Sequence, residues 1–275
     1  MKKLLLATSA LIFAGSALAA DLPPRMAVKA PVVAPVAYSW TGCFVGGHVG
    51  AGWSRTGWSE PYVPAGGFPV LGPAGSSIKT DGDAGILGGV QAGCDYQFAG
   101  NWVIGIGGDF SWADIRDSGI DPFFAGKNGG GLPLNSRTDQ MATLTGRIGY
   151  SFDRVLVYAK GGGAWAHNKY DVQNLFAMYG GFCATPAGFV ACNPTGSTDR
   201  FGWTAGVGVE WAFAPNWTLF GEYAHYGFNN KSVAFTDPNN SNNPLTVFAI
   251  KQDIDVVKVG INYRFWSASP VVARY

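Results

Sequence analysis

Lys258-Val-Gly-Ile-Asn-Tyr-Arg-Phe265 alternates polar and apolar residues and closes on an aromatic. In an extended chain successive side chains point to opposite faces. Val257, Val259, Ile261, Tyr263 and Phe265 then share one face, and Lys258, Gly260, Asn262 and Arg264 the other. A strand that is oily on one side, charged on the other and tipped with aromatics fits a wall between lipid and water.

Seven similar segments precede it. The period of two predicts strands over Trp40–Ser54, Gly85–Phe98, Trp102–Ala113, Gln140–Phe152, Val155–Ala166, Phe201–Phe213, Trp217–Phe228 and Gln252–Phe265. In the sixth, Trp203, Ala205, Val207, Val209, Trp211 and Phe213 fall on one face. The connections alternate in length. Ala99-Gly-Asn101, Asp153-Arg154 and Ala214-Pro-Asn216 are tight turns; the others are Gly-, Pro-, Ser- and Asn-rich segments of about 23 to 30 residues, long for a compact soluble domain. The expected fold is all-β: an eight-stranded antiparallel transmembrane up-and-down β-barrel with short periplasmic turns and four long extracellular loops. Strands of about 11 to 14 residues tilted ~40° rise roughly 28 to 35 Å, enough to span an apolar band.

The chain opens with Lys2 and Lys3, an apolar run from Leu4 to Ala14, and Ala17-Leu18-Ala19, the pattern of a cleaved secretory signal. The expected organisation is a signal at 1–19, a Pro/Ala-rich periplasmic linker at 20–39, the outer-membrane barrel at 40–265 and a tail at 266–275. Only 13% of residues are charged against 47% hydrophobic, about half the usual charge of soluble domains. The formal net charge is +1, and loss of Lys2 and Lys3 takes it two units lower, to −1. Such a balance gives no electrostatic case for nucleic acid.

Periodicity alone does not say which face is outside. A lipocalin-like barrel would bury the apolar set. The aromatics decide: Trp40, Trp53, Trp102, Trp112, Tyr150, Phe152, Trp165, Trp203, Trp211, Phe213, Trp217, Tyr263 and Phe265 are too bulky together for an eight-stranded lumen and sit where an interfacial girdle belongs. The lumen then receives His48, Gln91, Asp95, Asp109, Thr143, Arg147, Tyr158, Lys160, Glu210, Glu222, Lys258, Asn262 and Arg264. It is wide enough only for side chains to fill. The expected core is an ion-pair network of Glu210 and Glu222 with Arg147, Lys160, Lys258 and Arg264. A charge-lined pore is the rival reading.

Four cysteines in an exported chain favour disulfides. Cys43 and Cys94 share the outer face at matching heights near the periplasmic edge, which makes a cross-strand bond the expectation and free thiols the alternative. Cys183 and Cys192 lie close together in one loop, and the spacings match no zinc pattern. His48, His167 and His225 belong to no nucleophile motif, so neither enzyme chemistry nor a cofactor is expected; solvated or interfacial histidines are.

Four stretches carry a family resemblance: Ala20-Asp-Leu-Pro-Pro-Arg25, Trp40-Thr-Gly-Cys-Phe-Val-Gly-Gly47, Asn101-Trp-Val-Ile-Gly105 and the closing strand. In them the chain resembles the small outer-membrane β-barrels of alphaproteobacteria, a porin-like surface-antigen family with an OmpA-like transmembrane barrel. The resemblance implies a structural, surface-exposed role in the outer membrane with weak pore activity, and carries over no catalytic residues. Its implied partners are outer-membrane lipids and lipopolysaccharide, surface or host ligands at the loops, and the barrel-assembly machinery, whose signal the closing strand resembles at Gly260, Tyr263 and Phe265. Residues 266–275 depart from that signal, which ends many barrels on the last aromatic. Trimer contacts and lipid contacts are both apolar, so the pattern fits a monomer or an oligomer. Three functions follow: a structural barrel presenting loops above a closed lumen, a narrow porin for small solutes, or a lipid-modifying enzyme of the outer membrane.

Overall fold

In the computed structural model, residues 38–62, 76–120, 133–173, 183–185, 188–190, 194–237 and 240–265 are described. The strands are β1 (Gly42–Tyr62), β2 (Ser77–Asp81), β3 (Gly85–Phe98), β4 (Trp102–Ile120), β5 (Pro133–Phe152), β6 (Val155–Val172), β7 (Cys183–Thr185), β8 (Gly188–Val190), β9 (Thr195–Ala214), β10 (Trp217–Asp237) and β11 (Asn240–Phe265). The antiparallel ladder runs β11-β10-β9-β6-β5-β4-β3-β1, and β1 pairs back onto β11 from Cys43↔Phe265 upward. That last seam closes the sheet into a ring and removes its edges. β2 continues the place of β3: β1 pairs with β3 over Gly42–Gly52 and with β2 over Arg55–Ser59. The ring therefore has eight strand positions among the described residues, and β7 and β8 form a separate hairpin.

The tight turns lie at one end, as their sequences require. Ala99 and Gly100 both take positive φ (46° and 79°), and Asp153 does at 52°, the twist that suits a two-residue hairpin. The outer wall is apolar and open: Ile86 is 75% exposed, Val49 63% and Leu144 65%, while Lys258, Arg264 and Glu210 are buried. The apolar face is therefore outside.

Two features differ from the expectation. First, the strands are 18 to 26 residues long wherever they cross the whole wall in one piece, well beyond 11 to 14, except β3 with 14. Much of each predicted long loop is strand. Between β10 and β11 only residues 238–239 separate the paired Asp237 and Asn240. The reason is that chemistry inverts past the aromatic band. There Trp58, Leu134, Tyr170, Val172, Val233, Phe235, Phe248 and Ile250 pack inside, while Arg55, Arg116 and Lys169 point out. Bulges also flip the parity. In β5, Met141 and Thr143 face inward on one side of a shift at Thr138/Gln140, and Ser136 and Leu134 on the other. In β10, Tyr226 and Phe228 face inward before the shift at Phe228/Lys231, and Val233 and Phe235 after it. A single period of two cannot be followed through such a bulge.

Second, Trp40 is not a girdle residue. It precedes the ladder and is fully buried. Gly42, at φ 144°, takes a conformation that side chains oppose, and the turn brings Trp40 beneath the lumen. Of the other girdle aromatics, Trp53, Trp102, Trp112, Phe152, Trp203, Trp211, Phe213, Trp217 and Tyr263 are exposed on the outer wall, and Tyr150, Trp165 and Phe265 are half-buried.

Cys43 and Cys94 are register partners and form a disulfide on the outer face. Cys192 lies outside the described residues, and the Cys183–Cys192 pairing with it, as do the predicted signal, most of the linker and the tail. Replacing Cys43 and Cys94 together by alanine is expected to lower stability by about 2–4 kcal/mol, read as an earlier urea midpoint of tryptophan fluorescence in detergent.

Candidate functional site

The inward residues of β11 set out the lumen in order. Arg264 lies nearest the short turns, then Asn262, Lys258, Val256, Ile254, Gln252, Ile250, Phe248 and Thr246, all buried. Each marks a layer contributed to by several strands.

The floor is Trp40 with Val103, Leu156, Tyr158 and Ala212. Trp40 Nε1 donates to the carbonyl of Asp153 (3.1 Å), its N–H donates to Gln97 Oε1 (2.8 Å), and its carbonyl accepts from Arg264 Nη1 (3.0 Å). The Arg264 guanidinium also sits 4.8 Å over its ring.

Above the floor is an arginine tier. Arg147 donates from Nε to Asp95 (2.7 Å), bonds it again through Nη2, and reaches Glu210 at 3.2 Å. Arg264 Nη2 bonds Asp95 (2.6 Å) and Glu210 (3.2 Å). Glu210 further accepts from Thr218 (2.5 Å) and Asn262 (3.0 Å). The Phe44 ring lies 4.8 Å from the Arg147 guanidinium and 5.2 Å from that of Arg264.

A lysine tier follows. Lys160 lies 2.7 Å from Glu222 and 3.7 Å from Asp109; Lys258 lies 3.2 Å from each. Tyr158 Oη donates to Glu222 (3.0 Å), and Thr143 donates to Asp109. Each tier holds two cations and two carboxylates and is neutral. Every charge has two opposite partners, which is what burial demands, because an unmatched ion here costs several kcal/mol.

The six residues proposed for the network, Arg147, Lys160, Glu210, Glu222, Lys258 and Arg264, all face this lumen, but in two separate foursomes. Asp95 and Asp109, placed in the lumen yet left out of the pairing, complete them. The missed signal was arithmetic: four cations against two carboxylates leave two positive charges unmatched. His48, expected to be solvated, is buried with Nε2 2.9 Å from Ser111 Oγ. Its parity already placed it inside. His167 and His225 are on the outer face, paired with Asp199 (2.9 Å) and Asp255 (2.8 Å).

Over the tiers lies an apolar layer that includes Leu87, Ile115, Met141, Tyr226, Phe228 and Ile254. A hydroxyl and amide layer follows, in which Gln252 donates to Ser54 (3.0 Å) and Thr138 donates to Asn168 (2.6 Å). The cluster around Trp58 caps the stack, with Tyr170, Phe248 and Phe235 rings 5.5, 5.8 and 6.1 Å from it.

The lumen is thus polar and ion-paired, and the wall around it apolar. The family model of the outer membrane protein beta-barrel domain matches residues 5–265. The chain belongs to this family. It is 31% identical over 267 residues to the 31 kDa outer-membrane immunogenic protein of Brucella melitensis, spanning 96% of this chain and 100% of that one. It is 27% identical over 277 residues to the 25 kDa outer-membrane immunogenic protein of Brucella abortus, spanning 96% and 99%. Similar solved structures include the outer membrane protease OmpT of Escherichia coli (TM-score 0.48, 11% identity, 84% of this chain and 99% of that one). The outer membrane protein OprG of Pseudomonas aeruginosa aligns at TM-score 0.41 and 12% identity, over 84% and 99%. This family member is an antiparallel barrel of the cell outer membrane, surrounded by its lipids.

The tiers give a direct stability test. Glu210→Gln leaves Arg147 and Arg264 sharing Asp95 alone and is expected to cost about 3–5 kcal/mol. Arg55→Gln breaks an outer-wall pair with Asp255 whose arginine is 64% exposed and is expected to cost less than about 1 kcal/mol. The temperature at which the folded gel band gives way to the unfolded one reads both.

Proposed function

We propose that this barrel is a structural, non-enzymatic protein of the outer membrane that holds its extracellular end up for surface contact and keeps its lumen shut. The observation that carries the reading is the stack just described. Two neutral ion tiers and two apolar layers follow one another along the axis, above a tryptophan floor. An ion entering would have to break a pair of salt bridges at once and then cross hydrocarbon. The relatives named as immunogenic outer-membrane proteins support exposure at the surface. Planar-bilayer recording of the purified protein is expected to show no steps above baseline, and large, stable, reproducible conductance would overturn the closed lumen.

A narrow porin is the second reading. A cavity of about 40 Å³ between the tiers, lined by residues including Gln91, Asp109, Arg147, Tyr158, Lys160 and Glu222, favours it. A space of that size holds water but no sugar. If this reading is right, small sugars swell liposomes containing the protein, and Lys160→Glu or Glu222→Lys changes ion preference.

Lipid-modifying chemistry has less support. His48 is buried in the lumen, and His167 and His225 each meet an aspartate on the outer face, the second of which also accepts from Tyr223 Oη (2.7 Å). Substituting the three histidines by alanine is expected to leave the lipid A profile of the host cell unchanged.

The assembly role proposed for Gly260, Tyr263 and Phe265 has a packing counterpart. Gly260 faces inward, where a Cβ would strike the Phe220 ring and the carbonyl of Gly47. Tyr263 packs edge-on against Trp217 at 5.1 Å. Phe265 pairs with Cys43 at the closing seam.

A further inference from the structure

Above the aromatic band the ladder is interrupted at two places. Between β9 and β10 it stops at Gly202↔Phe228 and resumes only at Thr195↔Thr236. Residues 196–201 and 229–235 therefore run side by side without pairing to each other. Between β2 and β4 no ladder forms among the described residues. There β2 pairs with β1 alone, and β4 above Asp114 pairs with β5 alone.

The two seams lie four strand positions apart in a ring of eight. They divide the upper wall into one sheet of β2, β1, β11 and β10 and another of β9, β6, β5 and β4. Each sheet is laddered within itself. The extracellular half is thus a sandwich of two facing sheets, whereas below it the ladder runs all the way round. The core between them draws on both. Trp58, Phe235 and Phe248 come from the first sheet, and Leu134, Tyr170 and Val172 from the second.

At the seams, side chains replace the missing backbone bonds. Across β2/β4, Thr80 Oγ1 donates to Asp117 (2.8 Å). Across β9/β10, Arg200 Nη2 donates to the carbonyls of Asn229 (2.7 Å) and Ile250, and Lys231 Nζ donates to the carbonyl of Asp199 (2.5 Å). The β9/β10 seam is the weaker. Lys231 is exposed, so water competes for its bond. Arg200 is buried, and its partners among the described residues are two carbonyls and the Tyr170 phenol rather than a carboxylate. The tier arginines each meet two carboxylates instead. A buried cation without a counter-ion keeps most of its desolvation cost. Water admitted to the seam lowers that cost.

We propose that the extracellular half opens along the β9/β10 seam, its two sheets turning apart about β2 and β4, while the membrane half stays closed. Opening hydrates Arg200 and breaks the Thr195↔Thr236 pair at the top of the seam. It uncovers the rings of Tyr170, Phe235 and Phe248 between two unpaired strand edges. Local opening of this kind belongs to elements with few backbone hydrogen bonds across their boundary. It is independent of whether the lumen conducts.

The test uses the full protein in phosphatidylcholine nanodiscs, with Cys183→Ser and Cys192→Ser so that introduced thiols stand apart from native ones. Val172, Val233 and Val256 are alike in burial, at 1%, 3% and 1% exposed. They lie in the second sheet, the first sheet and the membrane half. Each is replaced singly by cysteine, a small change of volume, and treated with a water-soluble maleimide. Val172→Cys and Val233→Cys are expected to react at least about tenfold faster than Val256→Cys. A disulfide joining Thr195→Cys to Thr236→Cys closes the seam. It is expected to slow hydrogen exchange of residues 168–172 and 229–235 about tenfold or more, read by mass spectrometry. A disulfide joining Arg137→Cys to Lys169→Cys, register partners across an intact ladder, is expected to leave exchange unchanged. Equal reactivity at the three positions, no slowing when the seam is joined, or equal slowing by the second disulfide would overturn the opening. If Val233→Cys fails to give the heat-modifiable band, Val172→Cys alone is compared with Val256→Cys. A failed result leaves the bilayer-recording test of the closed lumen untouched.

Discussion

In the lower half of the molecule, among the described residues, four cations and four carboxylates share the interior of a ring too narrow to hydrate them, and this constraint governs how that half is built. A small barrel turns its polar face inward because its outer face belongs to lipid. It must then cancel charge locally, since the interior cannot screen it. The two foursomes meet that demand with side chains from distant regions of the chain: Asp95 of β3, Asp109 of β4, Arg147 of β5, Lys160 of β6, Glu210 of β9, Glu222 of β10, and Lys258 and Arg264 of β11. Each of these seven strands gives at least one member. β1 gives Phe44, which lies against both guanidinium groups. Neutrality is therefore reached only when the whole ring is assembled.

The upper half follows a different rule. Beyond the lipid, water wets the outer wall, and much of the interior is hydrocarbon, with buried Arg200 held by Tyr170 Oη and the Ile250 carbonyl, Asp117 by Thr80 and Glu60 by Thr246. Trp58 with Tyr170, Phe235 and Phe248 forms such a core. The same strands serve two solvents, and bulges in β5 and β10 move the apolar set from outside to inside between them.

This change of rule explains what was legible in the sequence. Where one face meets lipid, alternation is strict, and β11 could be read residue by residue from Val257 to Phe265. The short turns were equally plain, because Gly100 and Asp153 are residues that tolerate positive φ. Above the band, polar residues alternate with apolar ones in the reverse sense and Gly, Pro and Asn intervene, so Pro133–Thr138 and Asn229–Asp237 read as loop. Trp40 was misplaced because an aromatic at a strand start looks the same whether it faces lipid or folds beneath the barrel. The inward charges were visible by parity; their division into two foursomes depends on strand tilt and on pairings between strands far apart in sequence, which no local pattern records.

The strands that outrun the bilayer have a mechanical consequence. From Trp53 to Tyr62 on β1, and from Gly227 to Asp237 on β10, the wall continues as hydrogen-bonded ladder for roughly 20 to 30 Å. The strands form a pedestal with a solid interior. The described strand ends are therefore held at a fixed height above the aromatic band by the ladder itself, not by loop packing.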